Sequence, residues 1–305
     1  MMICLYEIVD HCDRQWIVHL QGAKDIIQYR KRMMQRDNGG AVSPQTQDAV
    51  SSFTELFFAF QDVMGRTACA KADLFGASYW REDDCVIHPW MGCSPAVVSI
   101  LFAIMDLSRR RRDIRSAADE VAFSMKSALL NQRLGALVQT LADPGDYTLQ
   151  AVGELKRLAC VIYLHCALYS AGPASPIIKK YVRRILKLVS ELTAKRFSGN
   201  IIWPLFVAAV ELDPLDDELC LDDRPRPGPG TGNVVHGRQL VLQALMAVGR
   251  SNVSGVSRAR YVIQEVWQAR DFDLGHPPDA RDPSPASLND WERYVVPVSD
   301  ALSLV

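Results

Sequence analysis

Three groups of residues have the types and spacing to do chemistry. Asp83, Asp84, Cys85, His88 and Cys93 bring carboxylate, thiol and imidazole into one short stretch, the donor set of a transition-metal site. Their spacing fits no common ligand pattern. The 8 cysteines, at 4, 12, 69, 85, 93, 160, 166 and 220, include no C-x-x-C pair. No metal and no other cofactor is expected. The second group is the stretch from Glu211 to Asp223, ELDPLDDELCLDD, where 7 acids are interleaved with leucines. The third is a pair of basic runs, Arg109 to Arg112 with Arg115, and Lys179-Lys180 with Arg183-Arg184.

The acidic stretch admits three readings. Alternation of acids and apolar residues is the composition of activation segments, where charge keeps the anchors from collapsing until a partner's groove takes them. On that reading the segment consists of Glu211, Leu212, Asp213, Leu215, Asp216, Asp217, Glu218, Leu219 and Leu221. Asp213-x-x-Asp216-Asp217-Glu218 is also faintly similar to the magnesium-binding acids of helical isoprenoid synthases, which clamp diphosphate through metal. Such an enzyme needs a second acidic motif on a facing helix, and none is found. The plainest reading is a polar helix end running into a loop. The basic runs suit nuclear import or phosphate contact, or simply the solvated end and face of amphipathic helices. No H-E-x-x-H, G-x-S-x-G or P-loop occurs, and Gly228-x-Gly230-x-Gly232 follows a proline-rich stretch instead of a strand, so no catalytic residue is named.

The elements that position these groups read as helices throughout. Ser175-Pro176 is a start signal ahead of Ile177, Tyr181, Ile185, Leu188, Val189 and Leu192 on one face, with Lys179, Lys180, Arg183, Arg184 and Lys187 on the other. Ser94-Pro95 repeats the signal ahead of a helix reaching Leu107, closed by cations that complement the helix dipole. Further helices are expected over 15–35, 49–64, 114–141, 148–170, 200–210, 234–249, 255–270 and 289–297. No sustained two-residue alternation appears, so the fold is expected to be all-α, a large helical array or bundle with essentially no sheet. Two loops, 224–232 (RPRPGPGTG) and 271–289, interrupt it.

Composition bounds the rest. With 305 residues, 49% of them hydrophobic, the chain has ample material for a core. Lys plus Arg number 34 against 35 for Asp plus Glu, so the formal charge of -1 offers no overall field to nucleic acid or an anionic membrane. The uncharged run from Leu158 to Ile178 is broken by His165, Gly172-Pro173 and Ser175-Pro176 before it reaches spanning length, and no membrane association is expected. Cys160 and Cys166 sit in apolar helical runs, where a free thiol behaves as a small hydrophobe. That favours a reducing, intracellular setting.

An ordered series of short blocks carries a resemblance. It runs through Cys4 to Asp10 (CLYEIVD), Trp16-Ile17-Val18-His19-Leu20-Gln21-Gly22-Ala23, Phe60-x-Asp62-Val63-x-Gly65-Arg66-Thr67 and Gly92-Cys93-Ser94-Pro95. It continues with Trp203-Pro204-Leu205-Phe206, Val266-Trp267-x-x-Arg270-Asp271 and Asp290-Trp291. In this order the blocks resemble the fungal-specific transcription factor domain that follows Zn₂Cys₆ binuclear clusters, in the branch that includes acriflavine-resistance and arginine-metabolism regulators. The resemblance implies a nuclear regulator of transcription, one that controls a metabolic or secondary-metabolite gene set and is not an enzyme. It implies protein partners from the transcription machinery, self-association or pairing with a longer regulator, and DNA contact only through a separate or missing zinc-cluster domain.

No CxxCxxxxxxC cluster precedes the blocks, so residues 1–297 are expected to form an N-terminally incomplete regulatory domain, with 298–305 as a tail. The alternative is a helical interaction protein that modulates longer regulators without DNA contact. Trp16, His19, Gly22, Gly65, Arg66, Trp203, Pro204, Trp267, Arg270 and Asp271 are expected to be structural, with Gly22 admitting a close neighbouring helix.

Overall fold

Apolar residues recur at three- and four-residue steps along almost every segment, and each such segment is a helix. The computed structural model describes residues 15–37, 49–69, 74–197, 199–220, 234–249, 253–275, 289–299 and 302. In chain order the α-helices are α1 (Gln15–Asp37), α2 (Ala49–Cys69), α3 (Pro95–Arg110), α4 (Ala117–Ala136) and α5 (Tyr147–Tyr169). They continue with α6 (Pro176–Ala194), α7 (Ile202–Val210), α8 (Gly237–Gly249), α9 (Val253–Gly275) and α10 (Asp290–Tyr294). The fold is all-α. Its described sheet is one antiparallel pair, β1 (Glu218–Cys220) with β2 (Val234–His236), in which Glu218 faces His236.

The middle of the array is α5, apolar on nearly every side from Val152 to Leu168 and therefore buried on nearly every side. It packs against α3, α6 and α7. The other central element, α7, reads IWPLFVAAV; without a polar side chain apart from its indole nitrogen, it is buried at every position. Surface helices carry one buried stripe each. In α6 it runs through Ile178, Val182, Ile185, Leu186, Val189 and Leu192, while Ile177, Tyr181 and Leu188 lie at its half-buried edge. A second, smaller cluster joins α1 to α2 through Leu20, Phe57 and Phe58.

Helix starts follow local chemistry. Pro95 and Pro176 open α3 and α6, but neither Ser94 nor Ser175 caps with its side chain, so the fixed proline φ carries the signal. True capping boxes occur at Ser116/Asp119 ahead of α4 and Asn289/Glu292 at α10.

Four expectations need correction. Residues 234–236 form β2 instead of opening α8. The helix expected to end near 270 runs to Gly275, because Asp271 and Asp273 are held by Arg238, Arg293 and Tyr294. Of the residues expected as a tail, Ser299 and Leu302 are buried, and Ser299 Oγ donates to the Ala68 carbonyl over 2.9 Å. A Cβ added at Gly22 would meet no described atom of another element within 4 Å; the close approach occurs at Gly153, where a Cβ would stand 2.5 Å from Ile87 Cδ1. Residues 221–233 and 276–288, including the RPRPGPGTG stretch, lie outside the described residues, as does the block at 4–10.

Candidate functional site

Two polar constructions interrupt the apolar interior, and they adjoin through α10. The first is an ion cluster. Glu211 follows the last residue of α7 and is 1% exposed. Arg270 lies one turn after Val266 and Trp267 on α9, which keeps it on the buried stripe. Its Nη2 donates to Glu211 Oε1 over 3.0 Å and to Asp290 Oδ2, on the first residue of α10, over 2.6 Å. The guanidinium also stacks 4.9 Å from the Tyr294 ring centroid. Two carboxylates thus share one cation.

Burial pushes the Glu211 carboxyl up to about 7; the attraction of Arg270 opposes the shift and the like charge of Asp290 adds to it. Asp290 is raised as well, chiefly by burial. Cys166, packed beside Glu211, is held well above the usual thiol range by burial. Glu211 Oε2 and Arg270 Nε meet no described hydrogen-bond partner.

The second construction is a cavity of about 190 Å³ between α2, α3, α5 and α10. Arg66, Arg109, Arg112 and Glu292 line it with charge, Ser108, Tyr163 and Asn289 with neutral polar groups, and Met105, Ala167 and Trp291 with apolar surface. Arg66 is 5% exposed and its Nε is held by Asp62 one turn earlier. The other Asp62 oxygen accepts from the Leu74 and Phe75 amides at 2.7 and 3.2 Å. The two Nη nitrogens of Arg66 meet no hydrogen-bond partner among the described residues, nor does the Tyr163 hydroxyl, which burial keeps protonated far above its usual range. Arg112 donates to Glu292 over 3.0 Å. Trp291 Nε1 donates to the Thr67 carbonyl over 3.0 Å, fixing one wall.

These constructions are the interior of a domain whose ancestry the comparisons establish. The fungal-specific transcription factor domain family matches residues 1–305. The chain belongs to that family. No curated protein and no solved structure matches it. As a member of a transcription factor domain family it is part of a transcription regulator.

Within this transcription factor domain, the acidic stretch is divided. Glu211, Leu212 and Asp213 are buried, whereas Leu215 is 80% exposed. Asp213 and Asp216 take Lys179 Nζ at 2.7 and 3.2 Å, and Asp216 also takes Arg183. Asp217 accepts from the Arg238 amide over 2.9 Å at the start of α8. Glu218 is exposed in β1; the side chain of Leu219 and all of Leu221 lie outside the described residues. The acids therefore meet the basic face of α6, a pairing that opposite charge in the two stretches could have suggested but local pattern could not locate. Among the described residues no group of three or more His, Cys, Asp or Glu is arranged to hold a metal ion. No described helix is long and apolar enough to cross a membrane.

The family-block residues fall into the same framework. Trp203 is 1% exposed and its Nε1 donates to Thr67 Oγ1 over 2.9 Å. Trp267 Nε1 donates to the Ala209 carbonyl over 2.7 Å, tying α9 to α7, and Arg238 lies over its ring. Pro204 and Gly65 are buried, and His19 is half-buried. Asp271 is exposed and takes Arg238 through two bonds of 2.7 and 2.6 Å. The side chain of Trp16 lies outside the described residues. Sequence reading missed Lys156, buried on α5 with its Nζ 2.5 Å from the Met91 carbonyl and burial pushing its pKa down. The signal available for it was a lone lysine inside an otherwise apolar run.

Proposed function

We propose that this chain is the regulatory region of a nuclear transcription regulator that controls a metabolic or secondary-metabolite gene set, acts through protein contacts, and is not an enzyme. The observation that carries the reading is the match of a transcription factor domain family to residues 1–305. DNA is reached only through a zinc-cluster domain carried elsewhere. Consistent with that, both basic runs are largely engaged by carboxylates: Arg110 by Asp106, Arg112 by Glu292, and Lys179 and Arg183 by Asp216. This leaves little free cation to neutralise phosphates.

Two contact surfaces support the protein-partner reading. Leu215, raised on a turn between Asp213 and Asp216, is the apolar anchor offered to the transcription machinery. The outer stripe of α4, Val121, Met125 and Leu129, is the face offered to a second copy of this chain. Fusing residues 1–305 to an unrelated DNA-binding domain tests the reading. Reporter output should differ from that of the DNA-binding domain alone, and Leu215→Asp should reduce the difference. Output equal to the bare DNA-binding domain would sink it.

A further inference from the structure

We propose that the cavity between α2, α3, α5 and α10 is a binding site for a small organic carboxylate, recognised by Arg66 and Tyr163 and serving as an effector site. The first argument is an unfilled valence. A guanidinium offers five N–H donors in a planar fork matched to a carboxylate. Arg66 is buried, Asp62 takes its Nε through one oxygen, and the other Asp62 oxygen accepts from the Leu74 and Phe75 amides. Arg66 lines the cavity. A guanidinium beside a largely enclosed cavity can give a carboxylate two parallel hydrogen bonds.

The second argument is the composition of the walls. Arg109 and Arg112, which also line the cavity, are met by Asp106 and Glu292, so the donor left for a ligand's carboxylate is the guanidinium edge of Arg66. The Tyr163 hydroxyl, also unpartnered, supplies a neutral donor from α5. Met105, Ala167 and Trp291 give the carbon skeleton an apolar surface. Size bounds the ligand: a volume of about 190 Å³ corresponds to roughly six waters at liquid density, below the range of drug-sized pockets. A short-chain mono- or dicarboxylate fits that bound, and the planar edge of Arg66 favours a carboxylate over a spherical anion.

The position gives binding a route to the fold. Arg66 is adjacent to Thr67, whose carbonyl holds Trp291 of α10, and Glu292 of the same helix meets Arg112. A ligand bridging Arg66 and the α10 wall stabilises the docked position of α10, which also carries Asp290 of the ion cluster. As an effector site this rests on the regulator reading above, but binding itself does not.

The test is isothermal titration calorimetry of the full chain with acetate, succinate and glutarate, with butane-1,4-diol as the uncharged counterpart of succinate and inorganic phosphate as a second anion. The expected result is saturable one-to-one binding of at least one carboxylate and none of the diol. Arg66→Lys, which keeps the charge beside Asp62 but loses the fork, should weaken it about tenfold or more. Tyr163→Phe removes a hydroxyl with no protein partner, so it leaves the fold intact and should still weaken binding several-fold. No saturable carboxylate binding up to about 10 mM overturns the proposal. So does binding by phosphate alone, or carboxylate binding unchanged in Tyr163→Phe. None of these outcomes touches the reporter assay, so failure of the site and failure of the regulator reading remain separable.

Discussion

Arg270 and Glu211 meet 3.0 Å apart, Nη2 to Oε1, at a point where neither residue is more than 6% exposed. The contact ties the end of α7 to α9, and the same nitrogen reaches Asp290 on α10. Burying two acids around one base is an electrostatic conflict: attraction between the ions is strong inside a protein, but each must first lose its water. With a single cation available, the more deeply buried acid, Glu211, relieves the conflict by holding a proton.

A pH dependence of stability follows. The folded-state pKa of Glu211, about 7, lies above its ordinary value of 4.5, so folding is favoured by the bound proton. That contribution is fully present below the ordinary value and is lost as pH rises through about 7. Asp290, also raised, acts in the same direction, while Arg270 and the Cys166 thiol, the other groups facing Glu211, stay in one protonation state over this range. Urea denaturation between about pH 5 and pH 7 should therefore show stability falling with pH, and Glu211→Gln should flatten the slope. An unchanged slope in the variant would show that Glu211 is not the linked group.

Removing the cation should cost far more than removing a surface partner. Arg270→Met leaves two acids without their base, and breaking a buried pair from one side costs about 3–5 kcal/mol. Asp271→Asn breaks the two bonds to Arg238, but both side chains are partly exposed, and such pairs are worth about 0.2–1 kcal/mol. Chemical denaturation of the two variants at one pH compares them directly. Similar losses would place Arg270 in a wetter setting than its burial indicates.

Thr67 anchors two tryptophans at once. Its hydroxyl accepts from Trp203 Nε1 and donates to the Met64 carbonyl, while its own carbonyl accepts from Trp291 Nε1. Thr67→Val keeps the shape but orphans the Trp203 donor, a loss of about 1–3 kcal/mol. Trp203→Ala also opens a cavity and should cost about 3–5 kcal/mol. If Thr67→Val costs as little as a surface change, below about 0.5 kcal/mol, the indole finds another acceptor and the anchor assignment fails.

What the sequence makes legible here is local. Pro95 and Pro176 announce α3 and α6 because a fixed φ acts on its own residue and needs no partner. The end of α9 is not legible, since Asp271 to Gly275 has the composition of a loop and stays helical only through contacts with Arg238, Arg293 and Tyr294. Strands of three residues are too short for a two-residue period to register. The family blocks located Arg66, Trp203, Trp267 and Arg270, but not their partners. Asp290 stands in a block that gives no sign of its partner, and Glu211 opens a stretch with the alternation of an activation segment. The cavity was out of reach for the same reason: Arg66, Tyr163 and Trp291 come from three distant segments, and only packing brings them together.

Two copies of the chain should meet through the outer face of α4. Helix α4 buries only Ser127, Leu130 and Leu134, while Val121, Met125 and Leu129 stand more than half exposed at four-residue steps on its opposite side. Asp119, Lys126 and Arg133, spaced by seven residues, fall along one flank of that outer stripe. In a parallel pair of α4 helices related by a two-fold axis, this flank faces the other, uncharged flank of the partner. In an antiparallel pair it faces itself, so Asp119 of each copy approaches Arg133 of the other at both ends, and Lys126 meets Lys126 in the middle. Charge thus favours the antiparallel arrangement at the ends and opposes it at the centre. Sedimentation velocity across a concentration series should show a weak, reversible dimer, since one pair of helices buries area at the low end of the stable range, about 1,200 Å². Met125→Lys should give a monomer and Arg133→Glu should loosen the dimer. Lys126→Gln should tighten it, an outcome that a parallel pair would not produce. A wild-type chain that stays monomeric at about 100 µM, or a dimer indifferent to Lys126→Gln, would show that the α4 stripe serves some other contact.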